Sequence, residues 1–103
     1  MIYAIDMDGT LCTQYCGGYE NAEPYPERIK TVNKLFDAGH HIVIYTARGS
    51  YVKKKGLKKL TKQQLMKWGV KYHDLSFNKI HFDVLIDDKV INCEQFFNKL
   101  WDW

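Results

Sequence analysis

The chain has 103 residues, of which 46% are apolar and 26% charged, with a net charge of +3. That suffices for one domain over 1–103 with its own core, near the lower end of domain size. It excludes a membrane span, because no stretch approaches the roughly 20 apolar residues one needs, and so mild a charge suits an anionic ligand without calling for nucleic acid.

Met1 to Thr10 reads M-I-Y-A-I-D-M-D-G-T, an apolar run closed by two carboxylates and a glycine. Such a run reads as a buried strand of a parallel sheet, whose carboxyl end is where ligands bind. Side chains two apart on a strand share a face, so Asp6 and Asp8 are expected in one cleft. Two like charges about 4 Å apart repel by roughly 4 kcal/mol at an effective dielectric of 20. A compensating cation is needed, and a hard, oxygen-seeking ion such as Mg²⁺ meets that need.

Residues 11–25 hold the Gly17-Gly18 pair and Pro24 without a clean period, which predicts a loop or short hairpin over the first strand's end. Pro26 fits a first helical position; Ile29, Val32, Leu35 and Phe36 follow at helical spacing, and Gly39 supplies the stop. His41 to Tyr45 is a second strand, closed by Thr46. A helix is expected from Thr61, capped by its hydroxyl, to Gly69, then a short third strand over Val70 to Leu75. Asp83 to Ile86 predicts a fourth strand ending at Asp87-Asp88, and Ile91 to Trp103 a closing helix with Phe96, Phe97, Leu100 and Trp101 inward. Alternating strands and helices at this size predict a small three-layer α/β fold with a mostly parallel sheet.

Cys12, Cys16 and Cys93 are an odd set with no C-x-x-C pair, and they read as reduced thiols of a cytoplasmic protein. Cys12 reads as a small buried hydrophobe. Asp6 and Asp8 interrupt the position where a signal peptide needs its apolar core. His40, His41, His73 and His81 lack metal-ligand spacing and read as structural.

The string D-M-D-G-T, Asp6 to Thr10, resembles the first motif, D-x-D-G-T, of the haloacid dehalogenase superfamily of phosphohydrolases. Three more stretches follow in that family's order. I-V-I-Y-T-A-R resembles the second motif, in which the Thr46 hydroxyl and nearby backbone N–H groups, those of Ala47 and Arg48, hold phosphoryl oxygens; Gly9 and Thr10 join them as substrate-binding residues. Lys79 stands in the place of the third-motif lysine, and Asp87-Asp88 resembles the acidic fourth motif. The block from Leu75 to Asp88 resembles a subgroup of very short members encoded among capsule and other surface-sugar genes.

The resemblance implies a three-layer α/β/α Rossmann-like core whose gaps, residues 11–25 and 47–78, are too short for an independent cap domain. It implies a Mg²⁺-dependent phosphomonoesterase. Asp6 attacks phosphorus to give an aspartyl-phosphate, Asp8 protonates the leaving oxygen and then activates water, and Lys79 offsets charge. Mg²⁺ is expected on the Asp6 carboxylate, the Asp8 carbonyl and Asp87, with Asp88 in support. Dehalogenases of the superfamily lack an aspartate at the Asp8 position, which favours phosphatase chemistry. The expected substrate is a small phosphorylated metabolite such as a sugar phosphate or a capsular-polysaccharide precursor. An open site suits a large substrate or a homo-oligomer whose neighbour supplies the missing wall.

Two rivals stand beside this reading. A receiver-like phosphoacceptor module also gathers acids, a hydroxyl and a lysine at strand ends, but lacks the second aspartate followed by Gly-Thr. A nucleic-acid 3′-phosphatase is prompted by the acid-free stretch Arg48 to Lys62, although no aromatic-interleaved basic strand accompanies it. That stretch reads first as a solvated face and second as an electrostatic funnel, with Arg48 the candidate for direct substrate contact.

Overall fold

The computed structural model describes residues 1–14, 18–49 and 55–98. Strand β1 (Ile2–Asp6) leads through helix α1 (Pro26–Asp37) to β2 (His41–Tyr45), then through α2 (Leu57–Lys67) to β3 (Asp74–Ser76), and α3 (Cys93–Phe97) follows. All pairings are parallel in the order β1-β2-β3, with Tyr3 beside Ile42, Ile5 beside Ile44, and Ile44 beside Leu75. These five side chains therefore share one face. Ile42 and Ile44 are fully buried there, and each contributes about 1.5–3 kcal/mol by leaving water.

Helix α1 forms where the apolar spacing predicts. Pro26 opens α1, and Ile29, Val32 and Leu35 are its buried stripe. Both long helices close in the same glycine-ended turn: His40 N–H donates to the Leu35 carbonyl at 3.1 Å and Val70 N–H to the Leu65 carbonyl at 3.0 Å. Two right-handed crossovers advancing in the same direction across a sheet must lay their helices on the same face. Helix α3 joins them, with Phe96 edge-on to Tyr3 at 6.1 Å and Glu94 paired with Arg28 of α1 at 2.9 Å. One apolar cluster runs through all these elements.

The small α/β fold with a parallel sheet is as expected. Three finer expectations need correction. The fourth strand, Asp83–Ile86, is not formed, and Val84 and Ile86 are 75% and 93% exposed. Parallel crossovers need a dozen or more residues, whereas only residues 77–82 lie between β3 and Asp83. Helix α2 starts at Leu57, preceded by Gly56, and Thr61 lies inside it, its hydroxyl donating to the Leu57 carbonyl at 2.8 Å. The third strand begins at Asp74 rather than Val70. The closing helix is described over Cys93–Phe97, begun by the Asn92 side chain accepting from Glu94 N–H at 2.9 Å; Leu100 and Trp101 lie outside the described residues.

Candidate active site

Strand β1 ends at Asp6, so the face-sharing alternation stops there and a turn takes over. The N–H groups of Thr10 and Leu11 donate to the Met7 carbonyl at 3.1 and 2.8 Å, and Gly9 N–H to the Cys12 carbonyl at 2.8 Å. Gly9 holds φ +87°, a conformation a side chain disfavours. The turn points the two acids at different partners. Asp6 takes an ion pair from Lys79 Nζ at 2.8 Å on Oδ1 and a hydrogen bond from the Thr10 hydroxyl at 2.9 Å on Oδ2. Asp8 takes the Arg48 guanidinium side-on, with Nε at 2.9 Å from Oδ2 and the NH2 nitrogen at 2.8 Å from Oδ1.

Each carboxylate thus has its own cation from within the chain. Lys79 reaches Asp6 across 73 positions of sequence, flanked by the rings of Tyr45 and Phe82 at 5.5 and 5.4 Å. Asp6 keeps a third of its side chain exposed, Asp8 17% and Lys79 16%. Thr46 follows the residue paired with Asp6 in the β2 register. It is buried, its N–H donating to the Ser76 carbonyl at 2.9 Å and its Oγ1 accepting from Arg48 N–H at 3.1 Å. Its hydroxyl proton is still a donor, and Ala47 beside it is half-buried.

Arg48 departs most from its expected setting. It is 1% exposed, so it offers nothing to a substrate directly and is no part of a solvated basic face. Its remaining bonds go inward from NH1 to Thr61 Oγ1 at 3.1 Å and Gln64 Oε1 at 2.5 Å, and the Tyr19 ring lies 4.6 Å from the guanidinium carbon. Lys55, Lys58, Lys59 and Lys62 are exposed as expected, while Lys53 and Lys54 lie outside the described residues. The sequence reading missed Thr61 and Gln64 as parts of this cluster. Two polar residues on the buried stripe of a helix, between Leu57 and Leu65, were the available signal.

The described parts of the excursion, residues 11–14 and 18–25, lie together beside the turn. Cys12 bridges to Asp8 and to Pro24, and Thr13 N–H donates to the Glu23 carbonyl at 2.8 Å. Cys12 is fully buried, with Sγ 3.5 Å from Asp8 Oδ1. Burial, then the Asp8 charge, pushes its thiol up to about 12, which leaves it an inert packing residue. Arg28 of α1 holds the turn from behind, donating to the Thr10 carbonyl at 3.1 Å. His40, His41 and His73 sit at the strands' opposite ends, where His41 pairs with Asp74 at 2.7 Å and His73 Nδ1 accepts from Ile42 N–H at 3.0 Å.

Among the described residues, no three His, Cys, Asp or Glu side chains come close enough to share a cation. Asp87 lies on the strandless, exposed segment; the Lys89 N–H, 3.1 Å from its Oδ1, together with Asp88 beside it, holds its carboxyl below the usual range. The carboxylate oxygens of Asp6 and Asp8 accept from Lys79, Thr10 and Arg48. No helix among the described residues is long and apolar enough to cross a membrane.

Residues 3–68 match a family described as haloacid dehalogenase-like hydrolases. A crystal structure of a structural-genomics target from Vibrio cholerae is similar, with TM-score 0.79 and 25% identity over 93% of this chain and 86% of that one. The structure of a Pnkp1/Rnl/Hen1 complex shares the fold, with TM-score 0.59 and 15% identity, and this chain spans 34% of the matched chain's length. Comparison with curated proteins gave no match.

Proposed function

The chain belongs to the haloacid dehalogenase-like hydrolase family, and we propose that within it the protein hydrolyses phosphomonoesters through an aspartyl-phosphate on Asp6. The carrying observation is the setting of Asp6. It ends a parallel strand, stays a third exposed, and is held by Lys79 at 2.8 Å and Thr10 at 2.9 Å. A carboxylate oriented in this way, with a cation beside it, has what a nucleophile toward an anionic phosphoryl group needs.

An Asp6 oxygen forms the new bond to phosphorus while the bond to the leaving oxygen breaks. Asp8 gives that oxygen its proton, then takes one from the water that attacks phosphorus and frees Asp6. Its two oxygens each keep a lone pair beyond those used by Arg48. Lys79 balances the charge that gathers between nucleophile and phosphate, and the Thr46 hydroxyl, with the N–H groups around Ala47, receives phosphoryl oxygens.

Hydrolases of this family generally use Mg²⁺. Among the described residues no three acidic, His or Cys side chains gather as its ligands; each step above rests on the chain's own groups, and the assay includes the ion. No cap-sized insertion covers the site, and the substrate class we favour is a small phosphorylated metabolite. Sugar phosphates come first, on the resemblance to short members encoded with surface-sugar genes.

A phosphate-release screen over sugar phosphates, nucleotides, 3′-phosphorylated oligonucleotides and p-nitrophenyl phosphate tests the reading. Turnover that disappears in Asp6→Asn supports it. Equal turnover in Asp6→Asn, or a stable phospho-protein without turnover, overturns it; the second result belongs to a receiver-like module.

A further inference from the structure

The proposed chemistry gives Arg48 no contact with substrate, yet the chain buries this cation completely. A buried guanidinium is costly unless its charge and its N–H groups are all answered. Here four hydrogen bonds answer it, two to Asp8 and one each to Thr61 and Gln64. It also stands against the Tyr19 ring, and Gln64 Nε2 donates to the Tyr19 carbonyl at 2.7 Å. The guanidinium is therefore fixed from α2 on one side and from Tyr19 on the other. Its backbone N–H reaches Thr46 Oγ1, so one residue sets both Asp8 and the acceptor side of Thr46.

Resting on the reading that Asp8 transfers the proton, we propose that Arg48 is a positioning residue. Its planar fork clamps both Asp8 oxygens, and Thr61, Gln64 and Tyr19 fix the fork. The planar, two-point grip is what lysine cannot reproduce. With the grip lost, Asp8 rotates about its side-chain torsions, and a displacement of about 1 Å costs on the order of a hundredfold in rate. Substrate affinity is untouched, since the guanidinium never meets the phosphoryl group.

The test measures kcat and KM for p-nitrophenyl phosphate hydrolysis in wild type, Arg48→Ala, Arg48→Lys, Asp8→Asn, the Arg48→Ala/Asp8→Asn pair and Gln64→Leu. Arg48→Ala is expected to lose kcat on the order of a hundredfold with KM nearly unchanged. Added guanidinium ion should restore part of that loss and restore nothing in Asp8→Asn. The pair should be no slower than Asp8→Asn alone. Gln64→Leu keeps the Arg48–Asp8 bonds but frees the fork's far side; it should lower kcat by a smaller factor and carries the test if Arg48→Ala does not fold. A loss confined to KM would make Arg48 a substrate contact and overturn the proposal. So would losses that multiply in the pair, or an Arg48→Ala defect without guanidinium rescue together with a silent Gln64→Leu. If Asp6→Asn abolishes turnover while the Arg48 variants keep it, this inference alone falls; if Asp6→Asn turns over like wild type, the proposed function falls with it.

Discussion

Replacing Arg48 by methionine isolates the electrostatic work of the buried pair. Methionine fills much of the arginine stem's volume, so little cavity is created. What disappears is the charge. Asp8 is left 17% exposed without its cation, and Thr61 and Gln64 lose the donor between them. Removing one partner of a buried ion pair costs about 3–5 kcal/mol, a large share of the roughly 5–15 kcal/mol that holds a domain of this size together. The melting temperature should fall by on the order of 20 °C, at about 4–8 °C per kcal/mol. Urea unfolding followed through tryptophan fluorescence reads the loss, and Asp8→Asn in the Arg48→Met background reads its origin. With Asp8 neutral the second change should recover part of the first, a coupling of about 1 kcal/mol or more. A loss below about 1 kcal/mol in Arg48→Met, or a double variant equal to the sum of the singles, would refute the reasoning.

Three further outcomes follow from the same geometry. The Cys12 thiol is pushed up to about 12 in the folded chain against 9.0 when exposed, so between those values the unfolded chain has lost a proton the folded one keeps. Its contribution to stability is intact below pH 9 and fades toward pH 12 at about 1.4 kcal/mol per pH unit; denaturation of wild type and Cys12→Ala across that range should converge, and parallel curves would contradict it. Gly9→Ala places a side chain at φ +87° with only ordinary contact, 3.6 Å to Gln14 Oε1. It should cost about 1–2 kcal/mol through backbone strain alone, which a urea midpoint measures. Phe96→Ala removes a ring that is 8% exposed and packs on Tyr3 and Phe97. A loss of about 3–5 kcal/mol is expected by calorimetry, and a loss near zero would mean that α3 does not cover the sheet.

What the sequence revealed, and what it hid, follows from the range of the interactions involved. Strand β1, helix α1 and strand β2 were readable because their signals are local: an apolar run, Pro26 at a helix start, Gly39 past its end. Helix α2 was misplaced because a hydroxyl that caps a helix and one that bonds back to the carbonyl four residues earlier look alike in sequence. The D-V-L-I run reads as a buried strand by composition, and only the short link after β3 argues against it. Asp6 and Lys79 were picked out through motif resemblance. The partnership of Asp8 with Arg48 spans 40 positions and leaves no local trace. Within a run of cations, no periodicity tells which one is buried. Lys79 and Arg48 reach the two carboxylates from 73 and 40 positions away, and no feature of the D-M-D-G-T string announces either cation.

The most direct measurement is rapid-quench mass spectrometry during turnover of p-nitrophenyl phosphate. A phosphoryl group on the peptide containing Asp6, appearing before phosphate release reaches its steady rate and absent in Asp6→Asn, is the result this account predicts. Steady turnover with that peptide unmodified at every time point, or the modification on another residue, would contradict it.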